Sequence, residues 1–90
     1  MDYRLQFKNV LLSQPNCILG KNGISQKFIK HVIKLLKRDK IIKIKVLRSI
    51  ATKINIRELA NEISKSTNSN LLDIRGKTVI LTIYNIENFN

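Results

Sequence analysis

The spacing of hydrophobic residues along the chain predicts three helices. A loose apolar pattern predicts the first over residues 2–13, and Pro15 ends it because proline cannot continue a helix. Apolar residues spaced three and four apart predict a second helix over 25–38 and a third that begins near residue 56. Residues 55–58 have the form of a capping box that opens the third helix.

Four shorter apolar segments predict strands. They cover residues 16–19, 41–48, 71–75 and 78–85. In the second segment the residues alternate, so Lys43 and Lys45 face the side opposite to Ile42 and Ile44. Gly76 and Lys77 between the last two segments suit a tight hairpin turn.

The order α-β-α-β-α-β-β predicts an α/β fold. Within that class it predicts an α+β sandwich-like arrangement with a mixed four-stranded sheet. We expect one sheet face to pack on the two later helices and the first helix to cover part of the other face. The expected inner residues are Ile42, Ile44, Val46, Val79, Leu81 and Ile83. Residues 49–54 are predicted to form a loop and 86–90 a frayed tail, and the whole chain, 1–90, to be one domain.

Charge is distributed unevenly between the two parts of the chain. The net charge is +11, from 17 basic and 6 acidic residues. Residues 1–53 carry 13 bases and 2 acids (13 − 2 = +11), whereas 54–90 carry 4 of each and are neutral. A general abundance of lysine in the chain is the alternative explanation. It accounts for the number of basic residues better than for their concentration in residues 1–53. This segregation indicates a surface that binds a polyanion.

Composition gives little support to other kinds of chemistry. One cysteine, Cys17, allows no internal disulfide and fits a reducing, cytoplasmic location, and no segment is long enough to span a membrane. His31 has no ligand partners at metal-binding spacing, and the six acids form no catalytic set. We therefore expect no enzyme activity, no metal, no cofactor and no small-molecule substrate.

A glycine-bracketed loop lies directly before the basic second helix. It consists of Gly20, Lys21, Asn22 and Gly23, and the helix carries Lys27, Lys30 and Lys34. Two glycines three apart allow a tight turn, and the N–H groups at a helix start favour anions. The pattern is that of a phosphate clamp. The alternative is a plain turn followed by a solvated helix face.

Three motifs in this order resemble the CRM domain, the chloroplast RNA splicing and ribosome maturation family with its YhbY-like free-standing members. They are residues 17–24, which contain the glycine loop, the alternating strand 41–47, and residues 73–81, which contain Arg75-Gly76-Lys77-Thr78. The resemblance implies a fold similar to the C-terminal domain of bacterial translation initiation factor three. It also implies RNA binding through the glycine loop and the Arg75–Lys77 turn. Free-standing members are associated with large-subunit ribosomal RNA precursors, and plant members with intron splicing.

These observations predict a monomeric, non-enzymatic RNA-binding protein that recognises the RNA backbone with little base readout, since no aromatic stacking platform is evident. Candidate contacts beyond the loop and its helix are Lys43, Lys45, Arg75 and Lys77. The main alternative is an Alba-like architectural chromatin protein that binds duplex DNA as a dimer. A nuclease is a third option.

Overall fold

Four helices and four strands make up the described part of the chain, and the strands form one mixed sheet. The protein is described by a computed structural model that covers residues 3–20, 22–51 and 55–85. Within these residues the helices are α1 (Tyr3–Leu12), α2 (Gln26–Asp39), α3 (Arg48–Ala51) and α4 (Ile56–Ser66). The strands are β1 (Cys17–Leu19), β2 (Ile41–Val46), β3 (Asn70–Arg75) and β4 (Thr78–Thr82).

The two long amphipathic helices begin at side-chain caps. The Ser25 hydroxyl accepts a hydrogen bond from the Phe28 N–H at 3.1 Å, and the Asn55 amide oxygen accepts from the Arg57 N–H at 2.9 Å. Each cap satisfies a donor that the first helical turn leaves without an intrahelical partner. Both predicted starts are thereby confirmed. Helix α2 ends at Lys40, whose φ of 69° turns the chain into β2.

The strands follow the order β1-β2-β4-β3 across the sheet. Strand β1 runs parallel to β2, as a pair connected through a helix should, while β4 pairs antiparallel with both β2 and β3. Gly76 has a φ of 60°, which a tight hairpin turn requires and glycine adopts readily. The predicted mixed four-stranded sheet and hairpin are confirmed.

The inner face of the sheet packs against α2 and α4. Strands β2 and β4 contribute Ile42, Ile44, Val46, Val79 and Leu81, all fully buried in one cluster with residues of both helices. Ile83, predicted for this face, is 40% exposed and lies beyond the end of β4. The strand ends at Thr82, and the Ile83 N–H bonds the Lys40 carbonyl in the register of the β2–β4 pair. Ile83 therefore lies on the predicted side, beside Leu36 and Thr67, but is not part of the buried cluster.

The outer face of the sheet is partly covered by α1, as predicted. Ile80 on this face is fully buried, and Lys43 extends its ammonium group to the C-terminal end of α1. The Gln6 amide of α1 also donates to the Asp39 carbonyl at the end of α2. Helix α1 is thus attached by polar contacts to the elements beneath it.

Two boundaries in the middle of the chain differ from prediction. Strand β2 ends at Val46, where the predicted strand ran on to residue 48, and Arg48–Ala51 forms the short helix α3 in place of a loop. The Leu47 N–H still bonds the Leu19 carbonyl in the register of the β1–β2 pair, and the chain enters α3 at the next residue. The predicted loop residues 52–54 and the predicted tail 86–90 lie outside the described residues.

Candidate nucleic-acid interface

The glycine loop and the β3–β4 hairpin turn lie at the same end of the sheet, on either side of β2. The Leu47 N–H donates to the Leu19 carbonyl at 3.1 Å, and the Val46 N–H donates to the Lys77 carbonyl at 2.8 Å. Parallel pairing sends β1 and β2 to the same edge, and antiparallel pairing starts β4 there. Because only β2 lies between β1 and β4, the glycine loop and the hairpin turn are about 10 Å apart.

The glycine loop is closed by a bond between its two glycines. The Gly23 N–H donates to the Gly20 carbonyl at 3.0 Å, and Gly23 has a φ of 65° that side chains disfavour. A Cβ on Gly20 would lie 3.7 Å from Leu47 Cδ1, so this end of the loop rests on the residue after β2. Asn22 is exposed, and Lys21 lies outside the described residues.

Helix α2 presents open N–H groups beside the loop. Its cap uses the Phe28 N–H, and the first intrahelical bond runs from Ile29 to Ser25. In the part of the chain that the structure describes, no acceptor bonds the N–H groups of Gln26 and Lys27. These donors and the helix dipole favour an anion at this position. The Gly23 N–H, in contrast, already donates to the Gly20 carbonyl within the loop.

An exposed basic stripe continues along α2 from this helix start. Lys27, Lys30 and Lys34 are all exposed, as is His31 between them. From Lys27 to Lys34 the stripe extends about 10 Å at the usual helical rise. The only acid on α2 is Asp39, in its last turn, where a hydrogen bond from Arg38 lowers the pKa of that carboxyl group. The stripe therefore has no acidic neighbour on its own helix.

The outer sheet face carries a second group of predicted contacts. Cross-strand register places Lys45 beside Thr78, and Thr78 beside Arg75. Lys45 and Lys77 are exposed, and the Arg75 guanidinium is paired with Asp73 at 2.9 Å. Three predicted contacts thus share the end of the sheet where the glycine loop lies.

Lys43 differs in its contacts from Lys45, which lies two residues further along β2. Its ammonium group donates to the carbonyls of Leu11 and Ser13 at 2.9 and 3.0 Å. The Leu11 carbonyl lies in the last turn of α1 and the Ser13 carbonyl just beyond it, where a cation also complements the helix dipole. The structure therefore gives Lys43 a structural contact, and its predicted contact with RNA stays a prediction.

A cavity of about 330 Å³ opens next to the glycine loop, between β1 and α2. Ile18, Phe28 and His31 line it, together with residues of the loop and of the α2 cap. The apolar spacing that predicts α2 includes Phe28 and so indicates a core position for it, but that spacing gives Ile18 no role. The alternation of β1 was the available signal, because Cys17 and Leu19 face the core and Ile18 must face away.

The described residues offer little for other chemistry. They contain no group of three or more His, Cys, Asp or Glu side chains that could hold a metal ion, and none of their helices is long and apolar enough to cross a membrane. Burial raises the pKa of the Cys17 thiol to about 11. A neutral thiol is a poor nucleophile.

Comparison with known proteins identifies the family. The model of the CRS1/YhbY (CRM) domain matches residues 6–82. A similar solved structure is that of the hypothetical protein SAV1595 from Staphylococcus aureus, described as "a putative RNA binding protein". It has a TM-score of 0.70 and 25% identity, with coverage of 93% of this chain and 85% of the other. A search of curated proteins found no match. This chain belongs to the CRS1/YhbY (CRM) domain family.

Proposed function

We propose that the protein binds RNA by its sugar–phosphate backbone, as one domain and as a monomer, and that it acts in assembly of the large ribosomal subunit. RNA as the partner is supported by membership of the CRM family. The ribosomal client is the one that the family resemblance implies. Splicing of an intron is the other client that it implies.

One observation carries the backbone-binding part of the proposal. The glycine loop and the start of α2 lie at the same end of the sheet as the hairpin turn, although the hairpin is about 50 residues further along the chain. A phosphate at the start of α2 would accept hydrogen bonds from the Gln26 and Lys27 N–H groups. The next phosphates would lie beside Lys77 and Lys45 in one direction, or beside Lys30 and Lys34 in the other.

A double variant in the loop tests the clamp. Lys21→Asp with Asn22→Asp changes the charge at the loop by three units, so we expect RNA affinity to fall by at least about tenfold. The matched control is Arg57→Asp with Asn61→Asp on α4, which changes the net charge equally at two exposed positions. Equal losses in both folded variants would show that only total charge matters and would falsify a localised clamp.

The client is tested by ultraviolet crosslinking in cells, followed by sequencing of the attached nucleic acid. Reads concentrated in one region of large-subunit ribosomal RNA precursor would support the assembly role and locate the binding site. Reads in introns would favour splicing. Reads spread over genomic DNA, with a dimeric mass in solution, would favour the chromatin alternative.

A further inference from the structure

The cavity beside the glycine loop has a composition that phosphate binding does not require. Its walls include an exposed aliphatic side chain, an aromatic ring and an imidazole, from Ile18, Phe28 and His31. Ile18 is 57% exposed although it lies in a strand. Backbone contacts to RNA are made by cations and N–H groups and would leave these apolar surfaces exposed to water.

Each apolar residue of the wall has a distinct position. Strand β1 is at the edge of the sheet, and Ile18 pairs in register with Lys45, which belongs to the outer face. Phe28 is half-buried: it packs against the core cluster and also lines the cavity. A planar ligand between them would cover both surfaces.

Polar groups at the rim can bond the edge of such a ligand. The Ser25 oxygen accepts from the Phe28 N–H, which leaves its hydroxyl proton available as a donor. Asn22 is exposed and supplies an amide donor and acceptor. An apolar cleft with a few fixed polar groups is typical of a site that binds one small planar group.

We propose that this cavity receives one unpaired base of the bound RNA, stacked against Phe28 and covered by Ile18. This inference rests on the proposed function, because the base would belong to the nucleotide whose phosphate is held at the start of α2. Lys27 contributes both to that helix start and to the cavity wall. Only a sugar separates a phosphate from its base, so the two sites are adjacent on the scale of a single nucleotide.

The charge around the cavity favours a base that is part of a strand over a free neutral ligand. Lys27 is exposed at its rim, and Lys30 and Lys34 continue the stripe on the same helix. In a duplex every base is stacked and paired, so its faces cannot enter a side cavity. The protein should therefore select single-stranded segments, bulges or loops, and contact one base as well as the backbone.

The experiment compares two single-stranded probes of equal length and charge, a uridine decamer and an abasic ribose-phosphate decamer. Uridine stacks weakly on itself, so the free probe has little structure to lose. We expect the wild-type protein to bind the uridine decamer about tenfold more tightly, as stacking of one base on an aromatic residue would give.

Two variants locate the preference in the cavity. Ile18→Ser removes the exposed aliphatic wall, and Phe28→Leu keeps an apolar side chain but removes the ring. We expect each to weaken uridine binding by about fivefold and to leave abasic binding within about twofold. Leu12→Ser is the matched control, because Leu12 is 81% exposed on α1 and does not line this cavity. Thermal melting checks each fold, and Ile18→Ser suffices if Phe28→Leu does not fold.

The outcomes separate this inference from the proposed function. Equal wild-type affinity for both probes, or equal loss of both in the Ile18→Ser variant, would overturn the base site and leave backbone binding intact. Failure of the wild-type protein to bind either probe would overturn both. A uridine preference that Ile18→Ser reduces and Leu12→Ser does not would support the base site.

Discussion

At the scale of single residues, Lys43 and Lys45 show how position decides the role of a charge. Both are lysines on the outer face of β2, two residues apart. Lys45 is exposed near the loop end of the sheet, whereas Lys43 bonds two carbonyls at the end of α1. The alternation that predicts a shared face cannot predict this difference, because the α1 carbonyls are about 30 residues away in sequence.

Lys43→Met should lower the free energy of unfolding by about 1 kcal/mol, because two charge-assisted hydrogen bonds on a partly exposed group are lost. Urea denaturation followed by circular dichroism measures it. Lys45→Met is the control and should change stability by less than about 0.5 kcal/mol while weakening RNA binding. If Lys45→Met lowers the free energy of unfolding as much as Lys43→Met does, the hydrogen bonds to α1 are not the source of the stability that Lys43 provides.

Cys17 should react slowly with iodoacetamide at pH 8. Its pKa of about 11 in the folded protein lies above its ordinary value of 9.0, so the reactive thiolate is depleted by about 100-fold. The same protein unfolded in urea is the control and should react at the rate of an ordinary thiol. The folded rate should rise as the pH approaches 11. Equal rates at pH 8 in both states would contradict the burial of the thiol.

At the scale of elements, the two long helices begin alike but meet different surroundings. Ser25 caps α2 beside the glycine loop, and Asn55 caps α4 in the neutral part of the chain. Small polar residues before an apolar stripe predict a cap at both helices, at Asn55 for α4 and at either Ser25 or Asn22 for α2, and the structure selects Ser25. The position of the α2 start beside the glycine loop also follows from sequence, because the two are adjacent, whereas the approach of the hairpin to them depends on sheet pairing.

Ser25→Asp should keep α2 intact and weaken RNA binding. Aspartate is a good helix cap, but its charge would repel a phosphate at the same helix start, and we expect about a tenfold loss of affinity at low salt. Asn55→Asp makes the matching change at α4 and should leave affinity unaltered. Fluorescence anisotropy with a labelled RNA measures both. Unchanged affinity in a folded Ser25→Asp variant would show that no phosphate lies there.

The ends of the elements were the part of the fold that the pattern predicted least well. The apolar run of β2 continues to Leu47, whose N–H still bonds the Leu19 carbonyl, yet the strand ends at Val46 and the chain enters α3 at Arg48. Likewise β4 ends at Thr82, and the chain bends at Ile83 and Tyr84, where the Tyr84 N–H bonds the Thr82 hydroxyl. Hydrophobic spacing reveals neither ending, because the apolar residues continue past both.

At the scale of the whole molecule, sheet order gathers charges that sequence keeps apart. Segregation of charge was visible from sequence, but the hairpin was counted with the neutral part of the chain. The order β1-β2-β4-β3 brings Lys77 next to the end of β2 and so beside the glycine loop. Long-range pairing of β2 with β4 decides this, and a single sequence carries no direct record of it.

Lys34→Gln and Lys77→Gln should each reduce the slope of log affinity against log salt by about 0.7, the value for one phosphate of a single strand. The double variant should lose about twice as much if α2 and the hairpin contact the same RNA. Arg57→Gln, an exposed cation on α4, serves as the control and should leave the slope unchanged. If the double variant changes the slope no more than Lys34→Gln alone, the hairpin does not contact the RNA.

The position of β2 between the loop and the hairpin has a consequence for which changes in chain length the protein tolerates. One residue inserted within β2 would place every later side chain of the strand on the opposite face of the sheet. It would also shift the glycine loop relative to the hairpin turn. One residue inserted at Gln14, in the exposed connection between α1 and β1, would lengthen only a surface segment. Functional relatives should therefore vary in length before β1 and keep β2 constant.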